Sequence, residues 1–185
     1  MGQTKQLRKL IFASLMAAII FVGISVLRIP LPALVGRPFV HFGNTLTILA
    51  VMWLGFGYGA TAGAVGLGLF DILNGYAATA WLTILEAIIL AAVVNIAFKA
   101  IGYDEHHLAK LYVVSSLAGV TKLMTSWGNG VIVALMAGTS VNVAMISSFA
   151  SLLSALINSV VSFLVVPLLY MLLVKMGFTR DRFNG

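Results

Sequence analysis

Between His41 and Tyr76 the chain reads HFGNTLTILAVMWLGFGYGATAGAVGLGLFDILNGY, and this block narrows the possible folds more than any other part of the sequence. Two apolar segments, of about 14 and 16 residues, flank a Gly-Phe-Gly-Tyr-Gly connection, and the strong hydrogen-bonding side chains lie at the two far ends. Apolar runs of this kind, without period-two alternation, are read as helices, because each backbone amide in hydrocarbon must be satisfied within its own segment. A fold-back at the glycines places Asn44 about 11 residues before the turn and Asp71 about 14 after it, within roughly one turn of the same height at ~1.5 Å per residue. His41, Asn44, Asp71, Asn74 and Tyr76 are therefore expected to gather at one side of a bilayer, as the groups of a binding site would.

The rest of the chain has the same character. Of its 185 residues 61% are hydrophobic and only 9% charged, with a mean hydropathy of +1.09, whereas a soluble domain carries about 25% charged residues. The expected fold class is an all-α membrane protein, a single transmembrane domain over 1–185 with six helices near 7–27, 41–55, 58–75, 78–101, 108–137 and 141–176. The net charge of +6 does not point to nucleic acid, since the 11 basic residues lie scattered at helix ends with no aromatic-interleaved patch. The chain has no cysteine, which excludes disulfides, thiol catalysis and thiolate metal ligation. The first apolar run lacks a small-residue cleavage site and is followed by further spans, so it reads as a retained helix rather than a signal peptide.

Along the chain, the first helix carries Ala13 and Ala17 four residues apart, a spacing that lets a second helix approach closely, either within the chain or in a partner. Residues 28–40 hold Pro30, Pro32 and Pro38 and form the longest loop, either a lid or a plain connection. Seven of the 18 glycines fall between Gly55 and Gly75, including Gly59-x-x-x-Gly63, which predicts tight packing of the third helix. Gly128 and Gly130 predict a break or a close backbone approach in the fifth helix, and Pro167 a kink in the sixth. Paired His106 and His107 do not share a helix face and have no third ligand nearby, so no metal site is expected.

An even number of spans puts both termini on one side. Lys5, Arg8, Lys9, Lys99, Lys110, Lys175, Arg180 and Arg182 then share that side, against Arg28 and Arg37 on the other. By the positive-inside rule both termini are cytoplasmic, and the polar end of the central hairpin, the proline-rich loop and the start of the fourth helix face outward.

Three ionisable residues fall inside apolar runs, where each is expensive and faces the interior or a cavity. Glu86 and Lys122 lie at comparable heights in neighbouring helices, so they form either a buried ion pair or the floor of a pocket. Asp71, with Asn74 three residues on, presents a carboxylate and an amide on one face, suited to a solute bearing hydroxyls or ring nitrogens. Tyr76, Trp81 and Trp127 are placed either to stack on a flat ring or to anchor at the interface, and Asn129 lies near Trp127. No catalytic triad, zinc-protease motif or phosphate-binding loop appears, so neither catalysis nor nucleotide hydrolysis has visible machinery. Uphill transport would require an ion gradient or a borrowed ATPase.

The six-helix plan, the Ala13-x-x-x-Ala17 face behind a basic N-terminus and the His41–Tyr76 block together resemble the substrate-binding (S) components of energy-coupling factor (ECF) transporters, within the riboflavin-transporter-like group that includes hydroxymethylpyrimidine and pyridoxine transporters. The resemblance implies a vitamin-capturing subunit of the plasma membrane that docks on a transmembrane T component and two ABC-type ATPases. It assigns Ala13 and Ala17 to the T-component interface, and it places a vitamin in the outward half, beneath the first loop and between helices four, five and six. No cofactor is implied. The expected substrate-binding set is His41, Asn44, Asp71, Asn74, Tyr76, Trp81, Glu86, Lys122, Trp127 and Asn129. Pyridoxine and hydroxymethylpyrimidine are the favoured solutes, and a self-sufficient ion-coupled carrier or channel is the alternative.

Overall fold

A computed structural model describes residues 2–30, 39–150 and 152–184. The chain runs through α1 (Gly2–Val26), β1 (Ile29–Pro30), β2 (Phe39–Val40), α2 (Gly43–Leu73), a single 3-10 turn (Ala77–Thr79), α3 (Ala80–Ala100), α4 (Leu108–Met136), α5 (Val141–Ala150), α6 (Leu152–Lys175) and α7 (Arg180–Asn184). Among the described residues four stretches are long and apolar enough to cross a membrane: Gln3–Val26, Gly43–Leu73, Ala77–Ala100 and Leu152–Lys175. The protein is an all-α membrane protein.

The expected hairpin is built into α2. Gly55 adopts φ 80° and ψ 179°, a conformation open to glycine because it has no β-carbon, and the helix breaks there. Helical structure resumes at once, so the break sits at Gly55 alone and the second arm begins ahead of the expected residue 58. The two arms lie against each other in antiparallel register. A β-carbon on Gly59 would fall 2.5 Å from Val51 Cα, one on Gly63 2.5 Å from Thr47 Cγ2, and one on Gly43 2.6 Å from Leu67 Cδ2. Each of these pairs is equidistant in sequence from Gly55, as a fold-back at that residue requires. Asn44 then lies 11 residues before the break and Asp71 16 after it, a height difference of about 7 Å.

Other helices use the same glycine stripe. Gly66 accepts α1, its absent β-carbon lying 2.7 Å from Ala17 O, and Gly68 accepts Ile84 of α3 at 2.8 Å. In hydrocarbon such close backbone approach supplies the packing that a hydrophobic drive cannot. The main core joins Ile48, Leu49 and Met52 of α2 to Leu90, Val94 and Phe98 of α3, Leu111 and Val114 of α4, and Val166 and Tyr170 of α6. Outside it, Leu7, Ile11, Ile96, Met124, Ile146 and Leu172 are all more than half exposed, a surface suited to lipid tails.

Over the expected 141–176 helix the described residues are helical on both sides of residue 151, as α5 and α6, and α5 lies along the end of α4, with Trp127 Nε1 donating to Met145 O at 3.3 Å. The helix α4 continues unbroken through Gly128 and Gly130, and a β-carbon on Gly128 would meet nothing within 4 Å, so neither the break nor the close approach expected at Gly128 is present. The proline-rich connection is pinned at its base: β1 and β2 pair antiparallel, Ile29 opposite Val40 and Pro30 opposite Phe39. Pro32, Arg37 and Pro38 lie outside the described residues. Pro167 sits buried inside α6, which is helical on both sides of it.

At the end of the molecule that holds the Gly55 break, the chain closes on itself. Buried Glu105 accepts the Tyr170 hydroxyl at 2.5 Å and Arg180 N at 2.7 Å through the same oxygen. Arg180 Nη1 donates to Met52 O at 2.6 Å, and its guanidinium lies 4.0 Å from the Tyr103 ring centroid. Met52 O is among the carbonyls that the break leaves without an intrahelical partner. Trp53 Nε1 adds a bond to Phe178 O at 3.1 Å.

Candidate functional site

The opposite half of the bundle gathers the polar side chains. On α4, Lys122, Thr125, Ser126 and Asn129 are spaced i, i+3, i+4 and i+7, which puts all four on one face. That face meets Glu86 of α3. Lys122 Nζ and Thr125 Oγ1 each donate to Glu86 Oε1 at 2.7 Å, Ser126 Oγ donates to the same oxygen at 3.2 Å, and Asn129 Nδ2 donates to Oε2 at 3.2 Å. Glu86 is only 8% exposed. A carboxylate taken that far from water is tolerated only with a counter-charge and with its lone pairs occupied, and this arrangement supplies both.

A second group lies across the bundle. Thr45 of α2 and Ser162 of α6 share a hydrogen bond of 2.8 Å, and Ser159 Oγ donates to Gly119 O at 3.2 Å. Asn44, Lys122, Ser159 and Ser162, with Ile48, Leu90, Ala118 and Gly119, line a cavity of about 10 Å³, close to the space one water needs. Asn44 is 5% exposed, and its Nδ2, with Ser115 Oγ, is a buried polar atom without a hydrogen-bond partner among the described residues. A larger hollow lies elsewhere, a groove of about 470 Å³ between α1 and the start of α2 whose lining, including Ile19, Val22, Leu27 and Phe42, is wholly apolar. Its chemistry suits hydrocarbon, not a water-soluble compound.

The base of the loop is tied to this region by Asn158 of α6. Its Oδ1 accepts His41 N at 2.8 Å and its Nδ2 donates to Phe39 O at 3.1 Å. His41 Nδ1 accepts Gly43 N at 3.0 Å, which leaves the ring proton on Nε2. Asp71 accepts a short hydrogen bond from Thr83 Oγ1, joining the second arm of α2 to α3.

Of the ten expected solute-binding residues, the structure brings Glu86, Lys122 and Asn129 into direct contact and sets Asn44 beside Lys122 in the lining of one cavity. His41 sits at the loop base held by Asn158, and Asp71 is engaged with Thr83. The others are placed differently. Asn74 is exposed and its amide closes its own helix, donating to Phe70 O at 2.9 Å. Tyr76 stacks on Phe70 with ring centroids 6.5 Å apart, Trp81 is 49% exposed, and Trp127 lies against Phe149 of α5 at 6.0 Å. Ala13 is buried beside Leu54, and Ala17 is half-buried against Gly66, so in the chain alone these small residues let α1 approach its own α2. Among the described residues no three His, Asp or Glu side chains come together as a metal site would need, and His107 pairs instead with Asp104 at 2.6 Å.

Sequence reasoning missed Thr83, Thr125, Ser126, Ser159 and Ser162. For Thr125 and Ser126 the signal was present in the spacing with Lys122 and Asn129. Hydroxyl residues are common in membrane helices, where they bond to the carbonyl four residues back, as Thr125 also does with Thr121 O at 2.9 Å. Only a partner on another helix separates the two roles.

The family model described as "ECF-type riboflavin transporter, S component" matches residues 4–175. No curated protein and no solved structure matches the chain. The match takes in all the helices from α1 to α6, the Glu86 cluster and the Asn44 cavity, and on it the chain belongs to the ECF-type riboflavin transporter S component family, a transporter subunit and not an enzyme.

Proposed function

We propose that this protein captures a water-soluble vitamin or vitamin precursor, with pyridoxine or hydroxymethylpyrimidine the favoured solutes, and delivers it by docking on a T component and two ATPases in the bacterial plasma membrane. The two arms of α2 with α1, α3, α4 and the α5–α6 run make six passes, with both termini in the cytoplasm. The eight-to-two bias of basic residues named above supports that orientation. Ala17, half-buried on α1, contributes to the T-component contact in this reading, while buried Ala13 packs against Leu54 and sets the path of α1 behind it.

The observation that carries the reading is the Glu86 cluster. Four donors from one face of α4 converge on one buried carboxylate next to a cavity with an unsatisfied Asn44 amide. An ion pair meant only to fasten α3 to α4 would not need a second polar group left unpaired across the cavity. The cavity as it stands admits a single atom group, so a solute must part the outer ends of α4, α5 and α6 to enter. Every residue from Val131 to Val143 in that region is exposed or half-buried.

The test is mass spectrometry of small molecules released from the purified protein, with reconstitution in liposomes as the companion measurement. A bound vitamin, with no uptake by the subunit alone, is the expected result. Uptake driven by an imposed ion gradient, with no T component or ATPase present, would instead establish a self-sufficient carrier and overturn the proposal.

A further inference from the structure

The donors and acceptors around the Asn44 cavity are unequal in number. Glu86 receives hydrogen bonds on both oxygens, so its acceptor capacity faces α4. Thr45 and Ser162 are bonded to each other, and Ser159 Oγ donates to Gly119 O. What remains on the donor side is larger. Asn44 Nδ2 carries two protons and bonds to nothing among the described residues, and Lys122 Nζ carries three protons, one of them on Glu86. Both residues line the same cavity, whose other walls include Ile48, Leu90 and Ala118. An unsatisfied buried donor costs about 1–3 kcal/mol, a cost that a ligand acceptor would remove.

We propose that Asn44 and Lys122 form a subsite that reads an acceptor oxygen, taking the carbonyl or ionised ring-hydroxyl oxygen of a flat heteroaromatic solute and rejecting a ring that presents an amino group at that edge. This rests on the solute-capturing role proposed above and sharpens it. An amino group would set its own N–H protons against those of Asn44 and Lys122, leaving donors facing donors with no acceptor between them. An oxygen of about one water's volume fits the space, and the Lys122 charge favours one that is ionised or strongly polarised. The Glu86 charge balances Lys122, so the solute need not itself be a full anion. Pyridoxine, with its ring hydroxyl, and riboflavin, with its ring carbonyls, meet this requirement; 4-amino-5-hydroxymethyl-2-methylpyrimidine does not.

The experiment is equilibrium binding of these three compounds to the purified full-length protein in detergent, followed by tryptophan fluorescence or calorimetry. Pyridoxine or riboflavin is expected to bind at least tenfold tighter than the aminopyrimidine. In Asn44→Leu, affinity for the bound compound is expected to fall about 10- to 100-fold, the effect of one lost hydrogen bond to a polar or charged partner, while the unfolding midpoint rises because an unsatisfied buried amide has gone. A residue with a purely structural role would not move these two readouts in opposite directions. Since Lys122→Met alone would leave Glu86 unpaired and risk misfolding, the lysine is tested as the double variant Glu86→Gln/Lys122→Met, with the same loss expected relative to the parent protein. Preferred binding of the aminopyrimidine overturns the subsite but leaves the capturing role intact, as does unchanged affinity in both variants. If none of the three binds and no small molecule is released from the purified protein, the capturing role fails as well.

Discussion

Replacing Gly59 by alanine tests the hairpin on which the site's geometry depends. The new β-carbon would lie 2.5 Å from Val51 Cα, 2.7 Å from Val51 N and 2.9 Å from Val51 Cγ2, whereas non-bonded carbons rest at about 3.5–4.0 Å. Two of the three atoms are backbone and cannot rotate away, so the arms must part by about 1 Å at that level. Overpacking of this kind costs about 1–3 kcal/mol, and a backbone clash belongs in its upper half. The better helix propensity of alanine returns about 1 kcal/mol, for a net loss of about 1–2 kcal/mol. Gly57 provides the matched control, since a β-carbon there meets nothing within 4 Å and Gly57→Ala keeps only the propensity gain. The two variants should therefore differ by about 2–3 kcal/mol in unfolding free energy measured in detergent micelles by denaturant titration. Equal stabilities would refute the claim that close approach of the arms, rather than side-chain packing elsewhere, holds α2 folded.

Further expectations concern the charged clusters. Glu86→Gln alone should destabilise by about 3 kcal/mol because it leaves Lys122 uncompensated in a buried site, and adding Lys122→Met should recover most of that; additive losses in the same unfolding assay would show that the two are not coupled. Tyr170→Phe removes one of the two donors on Glu105 and should cost about 1–2 kcal/mol, with an unchanged midpoint counting against a structural role for that bond. Asp104, at the surface before α4, is held well below the usual carboxylate range by Lys110, then by the His107 side chain and the backbone amides of His106 and His107. Its contribution to stability is complete above its ordinary pKa of 3.8 and declines as the pH falls through the lowered value. Thermal melts taken from pH 5 down to pH 2 should therefore show a shallower decline below pH 4 for Asp104→Asn than for the parent, and parallel curves over that range would exclude it.

The sequence was most legible where one residue type had one physical role. An apolar run in hydrocarbon must be helical, and the glycines around residue 55 needed a fold-back to make sense of polar groups at both ends. Glu86 and Lys122 were readable as a pair because two buried charges at matching heights have few alternatives. Hydroxyl groups were not readable in this way: Thr83, Thr125 and Ser162 look in sequence like any membrane-helix Ser or Thr until a partner on a neighbouring helix appears. Aromatic residues misled in the opposite direction. Trp81 and Tyr76 have the right chemistry for stacking on a ring, but their neighbours in space are set by tertiary packing, and here those are the surface and Phe70.

The bond between Arg180 and Met52 O joins positions 128 apart in the chain, and this sets an order on biogenesis. A ribosome feeding the membrane releases the Gly55 bend long before it makes the residues that seal it. Until residue 180 emerges, the carbonyl at Met52 lacks its guanidinium and Trp53 lacks the Phe178 carbonyl, so the early hairpin must wait in an unfinished form within the insertion machinery or the lipid. Truncation or a bulky fusion just before Phe178 would therefore disturb the first fold-back of the chain as much as its last turn.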